Sequence, residues 1–179
     1  MGSEMCIRDR MMCLFVLSFC STAAAQFAAP GPEYDVIKKD IGAWECKITD
    51  MQGNTTEGSE TSKMLGEYWM LTDFEGKLFG QDFKGHGVYG YDKDKKQYVG
   101  TWYDSLGPVK LQMTGVWDEA TQTLTYSGEA PGMDKKMATY TMANCYKDEK
   151  RIMTMYIQPK EGGDKSKLFE IEYSKSKDK

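Results

Sequence analysis

The chain has 179 residues, 40% of them hydrophobic and 28% charged, with 23 Lys+Arg against 27 Asp+Glu. That balance fits one soluble domain and excludes collagen-like, coiled-coil and multi-domain organisation. A net charge of −4 leaves no basic footprint, so no nucleic-acid partner is expected. The single histidine, His86, excludes the HExxH and three-histidine zinc sites.

Residues 1–10 resemble translated sequencing-adapter DNA: MGSEMCIRD is what a common transposase-library adapter encodes when read from a GTG start. Residues 11–25 then have the form of a secretory signal peptide. An apolar run, Met11 to Cys20, precedes the small residues Ser21 to Ala25, which supply an A-x-A cleavage pattern. As a helix the run spans about 15 Å, half of the roughly 30 Å hydrocarbon core, so it does not read as a transmembrane segment. Leu17-Ser-Phe-Cys20 approaches a lipoprotein box, but Phe19 stands where such boxes need a small residue. Export with cleavage near Ala25 places the mature chain in the periplasm or the medium, as a monomer or homodimer. Only Cys46 and Cys145 then remain. Two cysteines in an exported chain suggest one disulfide, whose loop of about a hundred residues would contribute up to about 4.7 kcal/mol in the chain-entropy view. Two buried free thiols are the alternative.

The domain is expected over 26–174, with 175–179 a disordered tail. Pro32 leads into a short helix over Glu33–Ile41, acidic early (Glu33, Asp35), basic late (Lys38, Lys39) and stopped by Gly42. Tyr34, Ile37 and Ile41 give it one apolar stripe. After Gly42 the period becomes two. Trp44, Cys46 and Ile48 alternate with Glu45, Lys47 and Thr49; Val109, Leu111, Met113 and Gly115 with Lys110, Gln112 and Thr114; Phe169, Ile171 and Tyr173 with Glu170, Glu172 and Ser174. Further strands are expected near 57–64, 67–76, 83–91, 97–104, 123–128, 136–147 and 151–158. Turn chemistry separates them at Gln52-Gly-Asn54, Asp92–Lys95, Asp118–Thr121, Lys147–Lys150 and Gly162-Gly-Asp164. About ten strands with no room for crossover helices make an antiparallel sheet. Closing it into an up-and-down barrel buries one face and removes the edges; a two-sheet sandwich is the rival.

Gly85, Gly87, Gly90 and Gly100 fall in or beside strands, where glycine marks bends or close approach. Two segments, 68–71 and 98–103, are apolar on both faces. Either the helix or N-terminal segment covers their outer face, or they form an oligomer contact.

Gly42-Ala-Trp44, after a short helix and opening the first strand, looks like the G-x-W start of lipocalin-like (calycin) barrels. It continues through Leu65-Gly66, Asp73-Phe-Glu-Gly76, Phe83-Lys-Gly85, Gly90-Tyr-Asp92, Tyr98-Val99, Trp102-Tyr-Asp-Ser105 and Thr123-Leu-Thr125. The series resembles a bacterial family known as domain of unknown function 1579, across nearly all of 30–174. The resemblance implies an often exported calycin-type barrel and carries over no activity, cofactor or catalytic residue.

Little in the chain points to chemistry. His86 could ligate haem, as one histidine does in some small barrels related to calycins, but those ligands come from C-terminal strands and His86 sits mid-chain in Lys84-Gly-His-Gly87. A solvated or pocket-lining histidine is the simpler reading, and no cofactor is expected. Asp92-Lys-Asp94 starts like a calcium loop but has Gln97 and Tyr103 where glycine and glutamate are needed. Asn54-Thr-Thr56 is a glycosylation sequon, which the resemblance to a bacterial family implies is idle. Asp104, Asp73 and Glu75 are the acids that could act as a general base near a barrel mouth, though no nucleophile–base pair is visible.

The interior carries the remaining signal. Trp44, Trp102, Tyr126, Met142, Met153, Met155 and Phe169, with His86 and Asp104, are the candidates to line it. Methionine and aromatic linings suit adaptable apolar sites, and the same side chains could simply fill the barrel. The expected function is binding of a small apolar molecule without catalysis. The alternatives are an interaction module with a filled interior and an isomerase or hydrolase using Asp104 or Glu75.

Overall fold

The computed structural model describes residues 29–132, 134–147 and 150–176. The adapter-like residues, the signal peptide with its lipoprotein-like cysteine, and the last three residues of the tail lie outside them. One helix and ten strands follow in order: α1 (Glu33–Lys38), β1 (Gly42–Asp50), β2 (Thr55–Leu65), β3 (Trp69–Leu78), β4 (Gln81–Asp92), β5 (Gln97–Asp104), β6 (Leu111–Asp118), β7 (Thr123–Pro131), β8 (Met137–Lys147), β9 (Lys150–Pro159) and β10 (Ser166–Lys175). Each strand pairs antiparallel with its chain neighbours, and β10 returns to β1, so the sheet is a closed up-and-down barrel. The two-sheet arrangement does not occur.

Closure follows from the period-two pattern. Every strand buries alternate residues, and in β1 Trp44, Cys46 and Ile48 point inward while Glu45 and Lys47 face solvent. The seam is regular: Cys46 stands opposite Tyr173 and Ile48 opposite Ile171. Short polar turns hold the hairpins. Asp50 Oδ1 accepts the backbone N–H of Gln52 and of Asn54, each at 2.9 Å, and Asp118 Oδ1 accepts that of Ala120 at 2.9 Å.

The helix is shorter than its apolar stripe suggests. It ends at Lys38, the chain turns through Lys39 and Asp40, and Gly42 takes φ +125° to enter β1. Ile41 therefore sits beyond the helix, and Val36 joins Tyr34 and Ile37 in the core. β6 likewise starts at Leu111, leaving Val109 47% exposed. The helix packs across one end of the barrel: Tyr98 Oη donates to Glu33 O at 3.0 Å and Tyr34 Oη to Tyr91 O at 3.3 Å. From that end it does not cover the outer wall, where Trp69 and Tyr103 stay 44% and 49% exposed. Trp69 lies against Gly90, whose missing side chain makes room for the indole.

Interior glycines do the same for inward rings. A Cβ at Gly115 would stand 2.7 Å from Tyr126 Cδ1, and one at Gly100 2.7 Å from Tyr89 Cδ1. These two tyrosines meet at 5.4 Å between ring centroids in the middle of the barrel.

Candidate ligand cavity

The barrel is not filled to the end. Its axis holds about 80 Å³ of open space, room for roughly two or three waters or a small organic group. The two ends of this cavity differ in chemistry. Away from the helix it is ringed by Leu78, Phe83, Trp102, Leu111, Met155 and Phe169. Phe83 stacks on Trp102 at 6.4 Å, and Phe79 meets Phe169 edge-on at 6.3 Å. Trp102, Leu111, Met155 and Phe169 are only partly buried, so the cavity opens here. Toward the helix the lining is fully buried and polar, with Asp40, Glu60, Asn144 and Arg151.

Arg151 organises this closed end. Its Nη1 lies 2.8 Å from Asp40 Oδ1 and its Nη2 2.5 Å from Glu60 Oε1, with the arginine side chain 4% exposed. The guanidinium lies 3.4 Å from the centroid of the Tyr173 ring and 5.2 Å from that of Trp44. Tyr146 Oη donates to Asp40 Oδ2 at 3.0 Å, and Trp44 Nε1 to Asp40 O at 2.7 Å. Ser62 Oγ, itself 2.9 Å from Thr72 Oγ1, reaches Glu60 Oε1 at 3.3 Å. One cation thus meets two carboxyl groups in a site shielded from water. Burial raises the Glu60 pKa, opposed by the Arg151 charge. The same burial pushes the Cys46 thiol up to about 12, keeping it protonated.

Two polar groups of this end lack hydrogen-bond partners among the described residues. Arg151 Nε is buried and unpaired. The Asn144 amide, on a residue 6% exposed that lines the cavity, has no partner either. Asp40 Oδ1 is held by the ion pair alone.

Of the residues singled out in the sequence, Trp102, Tyr126, Met142, Met153, Met155 and Phe169 lie together on the cavity lining. Trp44 is inside the barrel but stacks behind Arg151 rather than on the open space. His86 is elsewhere: it sits on the outer wall, 44% exposed, with Nδ1 2.7 Å from Asp73 Oδ1. Glu75 pairs with Lys84 on that wall at 2.8 Å. Asp104 caps a turn, accepting the Leu106 N–H at 2.9 Å, and lies outside the cavity lining.

Both cysteines are free thiols. Cys46 points inward, whereas Cys145 lies beside the inward Asn144 and so on the opposite face of the wall. Between their strands stand β10 and β9, a lateral gap of three strand spacings, about 14 Å, beyond what a disulfide spans.

Asp40, Glu60, Asn144 and Arg151 are absent from the sequence-derived candidates. Period two would have found three of them. Arg151 is two residues before Met153 and Asn144 two after Met142, so both share their neighbours' inward face, as Glu60 does with Ser62.

A closed antiparallel barrel with a single end helix and an interior cavity is the architecture of a calycin-type protein. The chain belongs to the family described as Protein of unknown function (DUF1579), whose model matches residues 29–175. No curated protein matches it.

Proposed function

We propose that the protein is an exported barrel that binds a small, largely apolar molecule in its interior and performs no chemistry on it. One observation carries this reading: the cavity is walled by methionines and aromatic rings and is open at its apolar end. Such a lining adapts to ligand shape, and a partly enclosed apolar space with few polar groups is the usual form of a small-molecule site. The polar groups at the closed end are engaged in an ion-pair cluster rather than aimed at a nucleophile.

Native mass spectrometry of the protein recovered after export tests this. The expected spectrum contains an adduct of small-molecule mass that is lost on denaturation. A bare mass in every preparation, with no rise in Tm on adding 1-octanol, would refute it, because any ligand that binds only the folded state raises Tm.

A further inference from the structure

We propose that the ligand carries an uncharged oxygen head, a hydroxyl or carbonyl, which docks on Asn144 at the helix end while its apolar part lies toward Trp102 and Phe169. This rests on the cavity-binding reading and narrows it to one chemical class. Among the described residues, Arg151 is the only cationic side chain on the cavity lining. Its two terminal nitrogens are committed to Asp40 and Glu60, which leaves Nε as its one nitrogen without a partner, so its charge is already met within the cluster. An entering carboxylate also meets the like charge of Asp40 in a medium of low polarity, where like charges repel strongly.

An ammonium head is disfavoured for a related reason. Asp40 already takes Arg151 on Oδ1 and Tyr146 on Oδ2. Glu60 Oε1 takes Arg151 and Ser62, its carboxyl also accepts from Tyr173, and burial holds it toward the protonated form. Apart from Arg151 Nε, the groups with unused capacity are neutral. Asn144 offers a donor and an acceptor to the open space. Tyr126, on the neighbouring strand beside Met142, has a hydroxyl with no partner among the described residues. A ligand oxygen that pairs with the Asn144 amide gains a neutral hydrogen bond.

Three eight-carbon probes that differ only in their heads, 1-octanol, octanoate and octylamine, test the inference at pH 7 by calorimetry on the full protein. The expected result is binding of 1-octanol about tenfold or more tighter than either charged probe. Asn144→Leu and Asn144→Ala should each weaken 1-octanol about fivefold, the loss of one neutral hydrogen bond, with octanoate unchanged. Octanoate or octylamine binding as tightly as 1-octanol overturns the uncharged head but leaves the cavity as a binding site. Undiminished 1-octanol binding by both folded Asn144 variants overturns the docking position. Failure of all three probes removes the cavity-binding reading, and this inference with it.

Discussion

Replacing Arg151 with methionine gives the sharpest test of how the closed end is held. Methionine fills much of the same volume, so the perturbation is mainly electrostatic. The arginine side chain is 4% exposed and its partners Asp40 and Glu60 are 11% and 7% exposed, so solvent screens these contacts little. Removing one partner of a buried ion pair typically costs about 3–5 kcal/mol, because the other charge stays buried without compensation. Here two carboxyl groups are orphaned, but Asp40 keeps a hydrogen bond from Tyr146 and Glu60 keeps those from Ser62 and Tyr173. The lost stacking on Tyr173, 3.4 Å from the guanidinium, adds roughly 1 kcal/mol. The expected loss is therefore about 4 kcal/mol, or a Tm drop on the order of 10–15 °C. Guanidinium unfolding followed by circular dichroism measures it. The triple variant Asp40→Leu, Glu60→Leu, Arg151→Met should recover most of the loss, since an apolar replacement of a whole buried cluster is often neutral or better. A single-variant loss below about 1 kcal/mol would refute the view that this cluster braces the barrel.

Other expectations concern titration, packing and thiols. The folded pKa of Glu60 lies above its unfolded value of about 4.3, so its contribution to stability is full below that pH and is lost as pH rises through the folded value. Glu60→Gln removes this term. Urea titrations should show the variant gaining on the wild type from pH 4 to pH 8, against Arg151, Asp40, Tyr173 and Tyr89 unchanged around it, and parallel curves would contradict the assignment. Gly115→Ala presses a methyl against Tyr126, which is 2% exposed and packed on Tyr89, and should cost about 1–3 kcal/mol. Gly107→Ala, with open space around it, should change thermal stability by less than about 0.5 kcal/mol, and equal losses for the two would remove the packing explanation. Alkylation of the native protein before reduction, followed by peptide mapping, should label Cys145 ahead of the buried Cys46, and label both after unfolding. A peptide joining Cys46 to Cys145 would contradict the opposed faces.

The barrel and the cavity lining were largely legible because both depend on alternation. Trp44-Cys46-Ile48 and Phe169-Ile171-Tyr173 announce inward faces by period alone, and polar turns mark where strands reverse. The polar cluster was not legible as a site, since an arginine, a glutamate or an asparagine in a strand ordinarily faces water. Their inward position follows from the register of Met153, Ser62 and Met142, a longer-range reading than composition permits. For His86 the sequence leaves a solvated and a pocket-lining position open, and the packing decides: Gly85 and Gly87 make room for Trp102 and Tyr89 and leave the histidine outside. The helix stripe continued past the true end because Ile41 is apolar, but Gly42 needs a positive φ, which only a chain leaving the helix supplies.

The pairing of β1 with β10 also has a kinetic side. The bond from Lys175 Nζ to Ile41 O joins residues 134 apart in sequence, and Arg151 reaches Glu60 across 91. Hairpins between successive strands can form locally, but the ion cluster must wait for Arg151 on β9 and the seam for β10. Until β10 pairs with β1 the sheet has two unpaired edges. Long-range pairing of this kind slows folding and prolongs the aggregation-prone stage. The C-terminal strand thus acts as a latch, and a chain ending before Ser166 would lose both the seam and the cover over its buried charges.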